Sequence, residues 1–240
     1  MRRFFVNSHA IDGDKVVLTG SDVHHISRVL RLNPGDKITL IDESAAEYDV
    51  DITALLDREV AGKITAVRLA QVPRIKLALF QGLPKGTKFD EIIEKATELG
   101  ADSISPVLME RCVARPDASS GGRLQRWRRI GEAAAKQSRR PTLPRIDPPK
   151  AWEEFMKALV DFDRIVVFWE GAVEPVDQAL AGFTGDRLAI VIGPEGGLAA
   201  AEVAALVAGG AKTAWLGPRI LRTETAPIAA LAIVNYILGR

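Results

Sequence analysis

The sequence predicts a mixed fold: a small β-rich unit followed by an α/β domain built on a mostly parallel sheet. Three observations carry this. Short strands separated by turns fill roughly the first 70 residues. Beyond Gln71-Val-Pro73, continuous apolar strands alternate with amphipathic helices. Two glycine-containing turns each follow an apolar strand and open a helix, where open α/β sheets bind their ligands.

In the first part, Lys15–Thr19, Lys37–Ile41, Tyr48–Thr53 and Val60–Leu69 read as strands. The turn Asn33-Pro-Gly-Asp36 leads into the second of them, with Pro fixing φ and Gly supplying freedom. So many strands in so short a span suggest a small barrel. One helical piece, Val23–Leu30, interrupts them, with Val23, Ile26, Val29 and Leu30 on one face and Ser21 or Asp22 as its cap. In the second part, Lys76–Phe80, Ser103–Leu108, Arg164–Trp169, Leu188–Ile192 and Thr213–Leu216 are predicted strands. Helices are predicted from Thr87 to Leu99 with a stop at Gly100, and over Arg123–Ser138, ended by Pro141 and Pro144. Further helices cover Trp152–Leu159, Ala200–Ala208 and Glu224–Leu238. The boundary falls near Val72-Pro73, giving domains 1–72 and 73–240.

The chain of 240 residues is 47% hydrophobic and 26% charged, ordinary for a globular protein. Its one cysteine, Cys112, excludes an internal disulfide and a Cys-rich zinc site, and suits a reducing, cytoplasmic compartment. The start MRRFFVNSHA turns polar at once, so no leader is expected, and no apolar run approaches membrane-spanning length. His9, His24 and His25 lack further ligands for a metal site, so no metal is expected. The net charge of +1 hides an asymmetry: residues 111–150 hold eleven Lys and Arg against three Asp and Glu. Such a segment is either a polyanion-binding surface or a solvated helix face.

The turn Gly193-Pro-Glu-Gly-Gly197 fits neither the dinucleotide fingerprint nor a phosphate-binding P-loop. The second cluster is Leu216-Gly-Pro-Arg-Ile-Leu-Arg-Thr-Glu-Thr-Ala226. Thr223 could cap the following helix, and Glu224 in its first turn suits the helix dipole. Arg222 has the wrong sign for that place, which marks it as a functional candidate.

These clusters, in this order, resemble the signature of the SPOUT methyltransferases, and more narrowly of the RsmE family. Further matches are Arg2-Arg-Phe-Phe5, His24-His-Ile-Ser-Arg-Val-Leu-Arg-Leu-Asn-Pro-Gly-Asp36, Lys88-Phe-Asp-Glu-Ile-Ile-Glu-Lys-Ala-Thr-Glu-Leu-Gly100 and Glu132-Ala-Ala-Ala-Lys-Gln-Ser138. The resemblance implies a PUA-like RNA-binding β-barrel over 1–72 and a SPOUT-type, trefoil-knotted parallel-sheet domain over 73–240. It implies a homodimer that methylates N3 of a specific uridine in small-subunit (16S) ribosomal RNA from S-adenosylmethionine. By resemblance the cofactor is held by Phe168, Glu170, Gly171, Gly193, Glu195, Gly196, Leu216, Gly217, Ile220, Leu221 and Arg222. Pro227 departs from the expected Ala-rich run, but Pro is tolerated in a first helical turn.

On that reading Arg222 stabilises charge on the uracil carbonyls and Glu224 accepts the N3 proton, its role as a helix cap remaining the alternative. Candidate RNA contacts are Arg2, Arg3, Arg28 and Arg31 in the first domain and Arg123, Arg126 and Arg139 in the second. The partner is ribosomal RNA or the small ribosomal subunit. Trp127 and Trp152 suit packing better than base stacking. A ribose 2′-O methyltransferase and a non-catalytic RNA-binding assembly factor are the competing functions.

Overall fold

The computed structural model describes residues 2–113 and 120–239. Part of the basic segment, including Arg115, therefore lies outside the described residues. The chain divides into two compact units, Met1–Val72 with Lys136–Thr142, and Pro73–Ala135 with Leu143–Arg240.

The first unit is a six-stranded sheet in the order β1-β4-β5-β6-β3-β2. Its strands are β1 (Arg2–Phe5), β2 (Ile11–Asp12), β3 (Lys15–Thr19), β4 (Lys37–Ile41), β5 (Ala46–Leu55) and β6 (Glu59–Leu69). Alternation places Val16 and Leu18 of β3 inside, with Phe4, Ile38, Leu40 and Ile52. Two register shifts in β5, at Asp49/Val50 and Ile52/Ala54, bend the sheet around that core. β1 and β2 were not among the predicted strands; β1 carries two arginines and pairs in parallel with β4.

The helical piece begins at α1 (Ser21–His24) and continues as a π-helical turn over His25–Val29, where the Leu30 amide donates to the His25 carbonyl. Neither Ser21 nor Asp22 caps it. Gly20, at φ 75°, turns the chain so that the helix starts at Ser21 itself, and no side chain bonds the cap. Asp22 pairs instead with Lys136, 3.2 Å away. Residues 136–142, which a single cut at 72/73 assigns to the second domain, group with this unit. Arg3 donates to the Arg139 carbonyl at 2.8 Å, and the Lys136 ammonium lies 5.5 Å from the Phe4 ring centre.

The second unit is a six-stranded sheet in the order β12-β10-β11-β7-β8-β9, with every pair parallel. These strands are β7 (Lys76–Gly82), β8 (Ser103–Val107), β9 (Arg145–Ile146), β10 (Arg164–Phe168), β11 (Arg187–Ile192) and β12 (Lys212–Ala214). Helices α2 (Lys88–Glu98), α3 (Ser120–Gln137), α4 (Trp152–Ala158), α5 (Val176–Leu180), α6 (Ala200–Ala208) and α7 (Thr225–Leu238) connect or follow them. Leu188, Ala189, Ile190 and Val191 are all inaccessible to solvent, which explains the unbroken apolar run. α2 buries Phe89, Ile92 and Ile93, each worth roughly 1.5–3 kcal/mol of apolar burial. Gly100, at φ 86°, ends that turn of chain. Trp127 is buried against Phe89 and donates its indole N–H to Asp90 at 3.1 Å, so it packs and does not stack outward.

The neighbouring strands β12, β10, β11 and β7 all run the same way. Their carboxyl ends, at Ala214, Phe168, Ile192 and Gly82, therefore lie along one edge. That edge carries both glycine-containing turns.

Candidate active site

A cavity of about 530 Å³ opens at this edge. Its walls are residues 168–170, 192–198 and 215–223, with Lys88 and Ala226. All the expected cofactor residues line it except Gly171. Gly171 lies beneath Trp169, where a Cβ would come within 2.5 Å of the indole ring.

Close backbone approach shapes these walls. A Cβ on Gly82 would meet the Pro194 nitrogen at 2.4 Å, so β7 ends directly against the turn after β11. Gly197 has φ 70°, and a Cβ there would lie 2.9 Å from a Glu170 carboxylate oxygen. Arg111 donates to the Gly196 carbonyl at 3.0 Å from outside the turn.

Gln81 ties the loops together. It is fully buried, and its amide nitrogen lies within hydrogen-bond distance of the Gly82 and Gly193 carbonyls and the Thr223 hydroxyl oxygen, at 3.0–3.1 Å. The Thr223 hydroxyl in turn donates to the Gly193 carbonyl at 3.1 Å. Thr223 is therefore not the helix cap; it holds one loop to the other. The sequence signal for Gln81 was a polar residue at the end of a buried apolar strand.

Glu224 occupies the cap position of α7, but its side chain makes no cap hydrogen bond. It is not on the cavity wall either. Its carboxylate pairs with the Lys88 ammonium at 3.3 Å. Glu195 pairs with the same ammonium at 3.4 Å and accepts from the Lys85 amide at 3.0 Å. Its carboxylate is thus turned to the β7–α2 connection. Hydrogen bonding to its own amide holds the Glu224 carboxyl below the ordinary range; burial opposes this, and Lys88 and Arg222 reinforce it. Burial works against ionisation of Glu195 and is outweighed by the amides of Lys85 and Glu195 and by Lys88, so its carboxyl also sits low. Lys88 is raised, chiefly by Glu224.

Arg222 is exposed on the cavity wall, and its guanidinium has no hydrogen-bond or ion-pair partner among the described residues. Its carbonyl accepts the amides of Thr225 and Ala226, both at 2.9 Å, and so starts α7.

The candidate RNA residues differ in how engaged they are. Arg28 and Arg31 are exposed, and Arg2 is exposed with one long contact to the Leu30 carbonyl, 3.4 Å. Arg3 is held by Glu47 and the Arg139 carbonyl. Arg126 is paired with Asp90, and Arg123 lies over the Trp127 ring. Arg139 is exposed, with φ 58°. Arg128 and Arg129, not selected from the sequence, are exposed on the same helix as Arg126.

A glycine-rich cavity at the carboxyl edge of a parallel sheet, in a chain with a separate small β unit, is the two-part plan of a SPOUT-fold RNA methyltransferase. A family model described as an RNA methyltransferase domain matches residues 71–235, and one described as an RNA methyltransferase PUA domain matches residues 18–65. The chain is 34% identical to the ribosomal RNA small subunit methyltransferase E of Bacillus subtilis, over 98% of this chain and 96% of that one. It is 33% identical to the protein of the same name from Mycobacterium tuberculosis, over 99% and 92%. The crystal structure of a ribosomal RNA small subunit methyltransferase E from Neisseria gonorrhoeae, bound to S-adenosyl methionine, superposes with a TM-score of 0.85 at 29% identity, over 99% and 98% of the two chains. The chain belongs to the ribosomal RNA small subunit methyltransferase E family.

Proposed function

We propose that this protein methylates N3 of a specific uridine in small-subunit (16S) ribosomal RNA, with S-adenosylmethionine as donor. The observation that carries the reading is the cavity itself, walled by the two glycine-containing turns and bearing an arginine with no partner among the described residues. Its volume suits a ligand of that size. Gly217 lines it with φ 106° and has open space on its Cβ side, so main chain there is accessible to a ligand. Phe168, Leu216, Ile220 and Leu221 supply apolar wall, and the backbone of residues 193–197 and 216–222 supplies donors and acceptors. The bound cofactor supplies an electrophilic methyl group on a sulfonium.

The protein's task is to align the nucleophile and to stabilise the charge that uracil gains as N3 loses its proton. Arg222, exposed on the cavity wall, serves the second task by stabilising charge on the uracil carbonyl oxygens. Glu224 acts from behind Lys88, off the cavity wall, and holds that ammonium in place. Because N3 lies on the Watson–Crick edge, the target uridine is bound unpaired. Mass analysis of nucleosides from small-subunit RNA methylated by the purified protein tests the reading. It should give 3-methyluridine; 2′-O-methyluridine, or no product, would overturn it.

Arg2, Arg28, Arg31 and Arg139 are the RNA contacts we favour in the first unit, and Arg123 and Arg126 belong to a second basic surface with Arg128 and Arg129. Arg3 acts indirectly, by fixing the strand that carries Arg2. Affinity for the RNA should fall steeply with salt, and R28A/R31A should flatten the log–log slope by about 1–2. An unchanged slope would remove these two residues from the interface.

The working form is a cytoplasmic homodimer whose catalytic chain is threaded as a trefoil knot. Exposed Ile233, Tyr236 and Ile237 form an apolar stripe on α7 that supports pairing. The return of the segment after β12 to Gly193 and Gln81 supports the threading. Sedimentation that finds only monomer at micromolar concentration would remove the dimer.

A further inference from the structure

Lys88 belongs to none of the three loops that wall the cavity, nor to α7, yet it lines that cavity. It is the first residue of α2, after Thr87 at the cap position. A cation there opposes the helix dipole, as Arg222 does at α7. α2 has its own acids, Asp90 and Glu91, in its first turn. The Lys88 ammonium nevertheless contacts neither of these; it pairs with Glu195 and Glu224, from the two glycine-containing loops.

An ammonium carries three donors. Glu195 and Glu224 account for two directions, at 3.4 and 3.3 Å. Lys88 and Glu195 are both on the cavity wall and Glu224 is off it, so Glu224 holds the ammonium from behind while the cation itself reaches the cavity. The two carboxylates also keep the amine protonated, Glu224 most of all. Three cations line the cavity, Lys88, Arg219 and Arg222, and of these Lys88 is the one that two carboxylates hold in place. A uracil that loses its N3 proton spreads the negative charge over two carbonyl oxygens, one on each side of N3.

The geometry points to Lys88 as a second catalytic cation. It donates to one uracil carbonyl while Arg222 serves the other, so that the ring is held as the N3 anion for methylation. In this step the N3–H bond breaks, with the proton leaving to water at the mouth, and the N3–CH₃ bond forms as the S–CH₃ bond breaks. The inference rests on the uridine-N3 reading above.

The test uses small subunits, and RNA extracted from them, from cells that lack this protein and were grown with 5-fluorouracil. The target then carries a mixture of uridine and 5-fluorouridine, and the fluorinated base has the more acidic N3. Wild-type protein and K88R should methylate both. K88M should lose about 100-fold in turnover on uridine, as when one preorganised donor is removed. It should lose less on 5-fluorouridine, so the ratio of 3-methyl-5-fluorouridine to 3-methyluridine should rise several-fold over wild type. Lys88→Gln serves the same comparison if the methionine variant does not fold. Undiminished turnover in K88M, or a product ratio equal to that of wild type, would overturn the role of Lys88. If wild type itself makes no 3-methyluridine on either substrate, the uridine-N3 reading fails instead.

Discussion

Arg222→Ala should lower methyl-transfer turnover by about 100-fold and leave affinity for S-adenosylhomocysteine nearly unchanged. The expected size is that of removing one preorganised charged donor from a site where negative charge develops. The selectivity follows from how Arg222 is held. Its main chain starts α7 by accepting two amides, and the substitution keeps that main chain. Its side chain is exposed and has no partner among the described residues, so truncation leaves no buried group unpaired. Stability should therefore change by no more than about 0.5 kcal/mol. Turnover equal to wild type, measured with binding followed separately by calorimetry, would end the assignment. A parallel loss of cofactor affinity would move Arg222 from the chemical step to the binding of the donor.

Local patterns in the sequence account for most of the fold, and long-range contacts account for what it concealed. β11 is readable because four successive residues are buried on both faces of a sheet, which needs an unbroken apolar run. The cavity loops are readable only as a pair: glycine and proline at one strand end suit any tight turn, and it is the two clusters in order that carry the family resemblance. Thr223 misleads for the opposite reason. As a hydroxyl just before a helix it looks like a cap, and nothing nearby in sequence discloses that Gln81, 142 positions away, claims it. Arg3 is similar: beside Arg2 it reads as a phosphate contact, while its partners Glu47 and Arg139 come from distant segments. Lys88 carried the same signal as Arg222, a cation at the start of a helix, but the acids Asp90 and Glu91 beside it hid the mismatch.

A pair of glycines separates the effect of backbone approach from that of backbone conformation. Gly82→Ala should destabilise the protein by about 1–3 kcal/mol and weaken S-adenosylhomocysteine binding at least about 10-fold. The added Cβ would meet the Pro194 nitrogen at 2.4 Å and the Gly193 carbonyl carbon at 2.9 Å. Both are main-chain atoms of the turn that walls the cavity, and no flexible side chain is available to yield. Relief requires either β7 or the 193–197 turn to shift. The three hydrogen bonds that Gln81 and Thr223 make to the Gly82 and Gly193 carbonyls would shift with them. Gly86, four residues on, is the control. It has φ 63° and open space around a Cβ, so G86A should cost about 1 kcal/mol through conformation alone. It should also leave cofactor affinity intact. Denaturant melts and calorimetry on the two variants decide the matter. If G82A binds S-adenosylhomocysteine as well as G86A does, contact between β7 and the turn does not set the shape of the cavity.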